Sequence, residues 1–309
     1  MSRLAEIRFI FRVEICEIDS MKHSNEINAL FHLLDDPDTE IYETVSKKIL
    51  HYGKDIIPNL EHLWEKTTDH QIQERIETLI HKVNFTDFTR NFENWKTAET
   101  PNLLDGMICL AHYQYPELNE PSLRKTIKNI YQSCWLELNN YLTPLEQITI
   151  INSIFYSMYK FKGYDLDANK PHHYFINEVI DTHSGNNYSL GSIYQSLCQM
   201  LDIPVFCIQL PHQFLLAYFD SRFDPSAVSK SMFAGIQFYI DPNSGTIYSQ
   251  NDVNVYLKKY GFEIVDKPIH PLSNLQIMNA TLEALIQVYD QLGELEKANE
   301  LQHFIDYHA

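Results

Sequence analysis

Glycine is scarce in this sequence, 9 of 309 residues, or about 3% against a usual ~7%. A sandwich of many tight hairpins and a glycine-cradled phosphate site both need positive φ or very close backbone approach, so neither fits. Helix-rich architecture is favoured. Basic residues are also in deficit: 24 Lys and Arg face 41 Asp and Glu, a formal charge of −17, which opposes attraction to DNA, RNA and anionic lipid. Nucleic acid and membrane are therefore not the expected partners. No apolar run approaches the ~18 residues of a membrane span, and the first residues, broken by Arg3, Arg8, Arg12 and Glu14, lack the apolar segment of a secretion signal. The cysteines, Cys16, Cys109, Cys134, Cys198 and Cys207, are odd in number and form no Cys-x-x-Cys pair. A reducing compartment, and hence a cytoplasmic location, is the simplest reading.

What is present is ordinary for a globular chain, 44% hydrophobic and 21% charged, and the length suggests about two domains. Residues 1–20 contain a β-like stretch, Ile7 to Ile18, with no evident partner, and Met21 opens a more typical helical start. They read as a loosely attached extension or as residues upstream of the native translation start. Residues 21–100 read as HEAT-like helical repeats. The segment from Asp38 to Ile49 lies over that from Asp69 to Ile80 without gaps, matching Ile41 with Ile72, Val45 with Ile76 and Ile49 with Ile80. Spacing of four puts each set on one helical stripe, and each aspartate stands where a helix would start. Ile57-Pro58 opens a helix between them. An ordinary helical hairpin would give the same pattern.

Residues 101–265 read as an α+β core. Helices are expected from Pro121 to Leu138 and from the capping box Thr143-Pro144-Leu145-Glu146. Ile151, Ile154, Phe155, Met158 and Tyr159 follow as a buried helical stripe. Then come a helix-like His173 to Asp181, the turn Ser184-Gly185-Asn186-Asn187 and a helix from Ser189 to Leu201. Strands are expected at Val205 to Leu210, Phe214 to Phe219 and Ile236 to Ile240, and a helix at Asn251 to Tyr260. Residues 266–309 read as a tetratricopeptide-like hairpin from Leu275 to Tyr307. It carries Tyr289, Gly293 and Ala298 at the expected spacing, and Gly293 closes its first helix.

Several motifs fall in order: Asn177-Glu178-Val179-Ile180-Asp181, Gly185-Asn186-Asn187-Tyr188-Ser189-Leu190, Leu201-Asp202-Ile203-Pro204, Leu210-Pro211-His212-Gln213-Phe214 and Ile240-Asp241-Pro242. Together they resemble the SirB-type branch of the transglutaminase-like superfamily, over roughly residues 100 to 309. The resemblance implies a papain-like site with a nucleophile at a helix N-terminus, a His on one strand and an Asp ending the next. A helix start stabilises a thiolate, the His moves its proton, and the carboxylate orients the imidazole. The matching positions are Ser189 and Asp241. The His falls at Gln213, with His212 one place early, which on a strand is the opposite face. A bulge before Phe214 could turn His212 inward.

The resemblance thus implies either of two proteins. One has a degenerate triad of Ser189, His212 and Asp241 and binds a protein or peptide partner through its helical repeats or through a groove near Ser189, Gln213 and Asp241, with Asn186, Asn187 and Gln213 as binding residues. The other is a serine-dependent hydrolase or acyl transferase using the same three residues. Ser189 also suits an N-cap, and Asp241 before Pro242 suits a turn. Cys198 and Cys207 read as inert buried thiols. Among the 14 histidines, the grouping of His172, His173 and His183 matches no closed metal motif, so neither metal nor other cofactor is expected.

Overall fold

The computed structural model describes residues 27, 29–31, 33–34, 38–164, 170–220, 235–261 and 269–305. The reading of residues 1–20 as an extension lies outside them. The chain divides into two compact units, Met1–Asn91 and Phe92–Ala309.

In the first unit, α1 (Thr39–Tyr52) begins where the Asp38 carboxylate accepts from the Glu40 amide at 2.9 Å. Helix α2 (Ile57–Lys66) carries its proline in the first turn, where a missing N–H costs nothing. The long α3 (His70–Lys96) starts with Asp69 accepting from the amides of Gln71 and Ile72. Val45, Ile49 and Ile76 are buried in one cluster, with Ile41, Ile72 and Ile80 packed against it. The two apolar stripes aligned in the sequence therefore share a core.

The second unit is built around α8 (Asn187–Met200), whose Leu190, Ile193, Tyr194, Leu197 and Cys198 are all fully buried. Helices α4 (Leu103–Gln114), α5 (Glu120–Glu137), α7 (Ile176–Thr182) and α10 (Asn274–Leu292) pack about it, as does an antiparallel sheet. The expected helix-like run from His173 is two elements, a 3₁₀ turn at Pro171–Tyr174 and then α7, because Phe175 between them is extended. A two-stranded parallel pair, β1 (Lys162–Gly163) with β2 (Ser184–Gly185), leads into α8.

The sheet is a meander in the order β3 (Val205–Leu210), β4 (Gln213–Phe219), β5 (Ile236–Ile240) and β6 (Ile247–Tyr248). Leu210 pairs with Gln213, so Pro211 and His212 form a two-residue hairpin turn, with His212 at φ +59°. The outer edge of β3 is occupied: the Cys207 amide donates to the Gln195 side chain, and the Cys207 carbonyl accepts from the Leu272 amide at 2.8 Å. Helix α9 (Gln250–Lys259) covers the sheet face formed by Ile208, Leu210, Leu215, Ala217 and Phe219. The final hairpin is α10 and α11 (Leu295–Gln302), turned at Gly293 with φ +77°.

One expected stripe is displaced. Helix α6 (Pro144–Asn152) begins with the Thr143–Glu146 capping box but continues as a π-helix over Ser153–Met158, with the Tyr159 amide bonding back to Ile154. The wider turn shifts the helical phase. Ile151, Ile154 and Phe155 stay buried, but Met158 is 65% exposed and Tyr159 only half-buried.

Candidate functional site

The helix start matched to the nucleophile is built differently from the expectation. Asn186, not Ser189, is the N-cap of α8, and its side-chain oxygen accepts from the Ser189 amide at 2.8 Å. Ser189 stands at the third helical position, and its hydroxyl accepts from the Asn186 amide at 3.0 Å and donates to the Asn186 carbonyl at 3.3 Å. Asn187 is simply the first helical residue. Ser189 is 1% exposed, and Gly185 lies so close that a Cβ there would sit 2.6 Å from the Ser189 oxygen. The hydroxyl is thus consumed by a reciprocal cap of the kind that satisfies orphan helix donors.

Helix periodicity also separates it from the strands. Gly191 packs against Phe214 of β4 and against Pro242, and Ser189 stands about 200° around the helix from Gly191. Strand alternation puts Phe214 on the α8 face and Gln213 and Leu215 on the other, where both border a cleft beneath α9. Gln213 consequently faces away from α8. His212, held in the left-handed turn, has its ring 6.4 Å from that of Tyr260, at the end of α9. No bulge turns His212 inward, because β3 and β4 pair in unbroken register up to the turn.

Asp241 is likewise committed locally: one oxygen accepts from the Asn243 amide and the other from the Ser244 hydroxyl, each at 2.9 Å. Its turn is clamped from outside. The Tyr156 hydroxyl donates to the Pro242 carbonyl at 2.8 Å, and the Asn152 amide to the Gly245 carbonyl at 2.8 Å. The Gly163 amide donates to the Asn243 carbonyl at 2.9 Å. Burial and the nearby Asp241 charge push the Tyr156 phenol well up, so it remains a donor. Each of Ser189, His212 and Asp241 thus has a local partner: the Ser189 hydroxyl is bonded to Asn186, the His212 ring lies beside Tyr260, and Asp241 is closed into its own turn. Sequence reasoning missed Asn152 and Tyr156, whose partners lie 93 and 86 residues away. No local signal marks them.

The thiols offer no substitute. Burial pushes Cys198 and Cys207 well up and Cys134 up to about 11, which keeps them protonated and unreactive. Among the described residues, no group of three His, Cys, Asp or Glu is placed to hold a metal. Nor is any helix among them long and apolar enough to cross a membrane.

His173 instead packs as an aromatic, stacked 4.3 Å from the Tyr164 ring. Burial first, then the charges of His172 and Lys170, lower its pKa from 6.5 to about 4. A histidine held neutral contributes stability above pH 6.5 that is lost as pH falls towards 4. Urea unfolding of wild type against His173→Gln should show the difference in stability shrinking steadily over that interval. A constant difference would mean that His173 does not titrate there.

The cleft under α9 has a volume of about 220 Å³. Leu210, Leu215 and Val253 line it with apolar surface, Tyr248 and Tyr256 with rings, and Gln213 and Asp252 with polar groups.

Residues 121–283 match the sequence model of the transglutaminase-like superfamily. The match covers more than half of the chain, which therefore belongs to that superfamily. No curated protein and no solved structure matches it.

Proposed function

We propose that this chain is a SirB-branch transglutaminase-like protein without acyl-transfer activity, which acts as a regulatory module by binding a polypeptide partner in the cytoplasm. The observation that carries the reading is the Ser189 hydroxyl, bonded on both sides to Asn186 and closed over by Gly185. A serine nucleophile needs a base at hydrogen-bond distance, and Ser189 spends its hydrogen bonds on the cap. The binding groove is then the cleft at Gln213, beneath α9. The flanking helices, taken as HEAT-like repeats and a tetratricopeptide-like hairpin, each offer a further surface that a partner could use. No cofactor is required.

A fluorophosphonate probe tests this directly. Wild type and Ser189→Ala should be equally unlabelled, and Ser189→Ala should lose about 1 kcal/mol of stability in urea, the value of one cap interaction. Labelling that disappears in Ser189→Ala would support the alternative, a hydrolase or acyl transferase using Ser189, His212 and Asp241.

A further inference from the structure

The cleft beneath α9 carries more information than its existence. At about 220 Å³ it is smaller than the ~300–1,000 Å³ that drug-sized ligands occupy, so it suits one inserted side chain. Its polar equipment has one sign. Asp252 takes both bonds from Ser249, at 2.8 and 2.7 Å, on the same carboxylate oxygen, which leaves the other oxygen available. Those bonds also hold the Asp252 carboxyl below its ordinary range, so it is ionised at neutral pH. The charges of Asp241 and Asp252 both reach Tyr248, and among the described residues no Lys, Arg or His lines the cleft. Lys259, one turn beyond Tyr256, holds its ammonium over the Tyr260 ring at 5.7 Å.

The aromatic residues are positioned for a flat cation. The Tyr256 hydroxyl donates to the Pro211 carbonyl at 2.9 Å, which fixes the ring, and Tyr248 stands in β6 on the sheet. An aromatic face attracts a cation through its quadrupole. A guanidinium is planar, stacks on rings and presents a fork of donors to a carboxylate, whereas an ammonium is a strongly hydrated point charge.

We propose that this cleft receives an arginine side chain of a polypeptide partner, with the guanidinium stacked on Tyr248 and Tyr256 and paired with Asp252. Gln213 supplies an amide oxygen as a second acceptor. The assignment rests on the peptide-binding reading above and gives it a chemistry. It also gives a use to the position where the superfamily resemblance implies a histidine: a basic side chain there would repel the ligand, and an amide accepts it.

The test is a methyl NMR titration of the full chain, labelled at Leu and Val, with the peptide acetyl-Gly-Arg-Gly-amide and its lysine and citrulline counterparts. Methyl signals of Leu210, Leu215 and Val253 should shift saturably with the arginine peptide. Citrulline, which keeps the shape and loses the charge, should bind at least about tenfold more weakly, with lysine between them. Asp252→Asn should weaken the arginine peptide by about tenfold. Because that variant also touches the α9 cap, Tyr248→Leu provides a second probe and should weaken binding several-fold. Equal binding of citrulline, or shifts spread over the acidic surface without saturation in the cleft, would overturn the proposal. A degenerate tripeptide mixture separates the two levels. If it shifts the cleft methyls and the arginine peptide does not, arginine recognition fails and peptide binding stands; if neither shifts them, both fail.

Discussion

Gly245→Ala is expected to lower the stability of the second unit by about 2–5 kcal/mol and to release the turn that holds Asp241. Gly245 has φ +72°, and a Cβ there would lie 2.5 and 2.6 Å from Tyr156 ring carbons and 3.0 Å from the Asn152 side chain. The left-handed backbone alone costs a non-glycine residue roughly 1–2 kcal/mol, and forcing the Tyr156 ring aside adds about 1–3 kcal/mol. Gly293→Ala is the control: its φ is +77°, but nothing lies within 4 Å of the added carbon, so only the backbone cost applies. The measurement is the urea midpoint of each variant at unchanged slope. Equal losses for the two would show that Tyr156 does not press on the turn. Because Tyr156 and Asn152 reach the turn through its carbonyls, Tyr156→Phe should loosen it without the steric component.

Phe155→Ala should cost about 3–5 kcal/mol, the range for deleting a buried aromatic side chain. Phe155 is fully buried, stacked 4.4 Å from Phe161 and edge-on to Tyr156 and Tyr194 at 5.0 and 5.5 Å. Truncation would leave a cavity beside the ring of Tyr194, whose hydroxyl bond to Asn152 at 2.9 Å orients the Asn152 amide towards the Gly245 turn. Met158→Ala, three residues on, should change stability by no more than about 0.5 kcal/mol, as exposed substitutions usually do. Thermal unfolding of both variants checks the contrast. Similar losses would mean that the helix keeps its ordinary phase and that Met158 is buried after all.

The Met158 error shows what sequence periodicity can and cannot deliver. A four-residue recurrence locates a helix, and here α6 begins where Thr143 and Glu146 indicate. It carries no information about an i→i+5 bond, which is decided by what the helix must reach. Strands β3 and β5 were legible because their composition and bounding turns are local. The hairpin turn at Gly293 was legible because a positive φ at a helix end favours glycine. Ser189 was matched to a helix start two residues late, since both asparagines and the serine are good caps and only the three-dimensional bonding distinguishes Asn186. The Gln213 displacement was visible as a shift of one residue. Which side of the sheet each residue would face depended on the position of α8, and that is set by the packing of Gly191 on Phe214 and Pro242.

The side-chain amide of Gln195 and the backbone amide of Leu272 close the middle of the outer edge of β3. An exposed sheet edge is an invitation to strand addition, by a partner's extended segment or by another copy of the chain. With both backbone groups of Cys207 already engaged, a ladder cannot run through the middle of that edge, and the other edge, β6, is only two residues long. The polypeptide partner proposed above is accordingly expected to be read through its side chains, by what fills the cleft beneath α9.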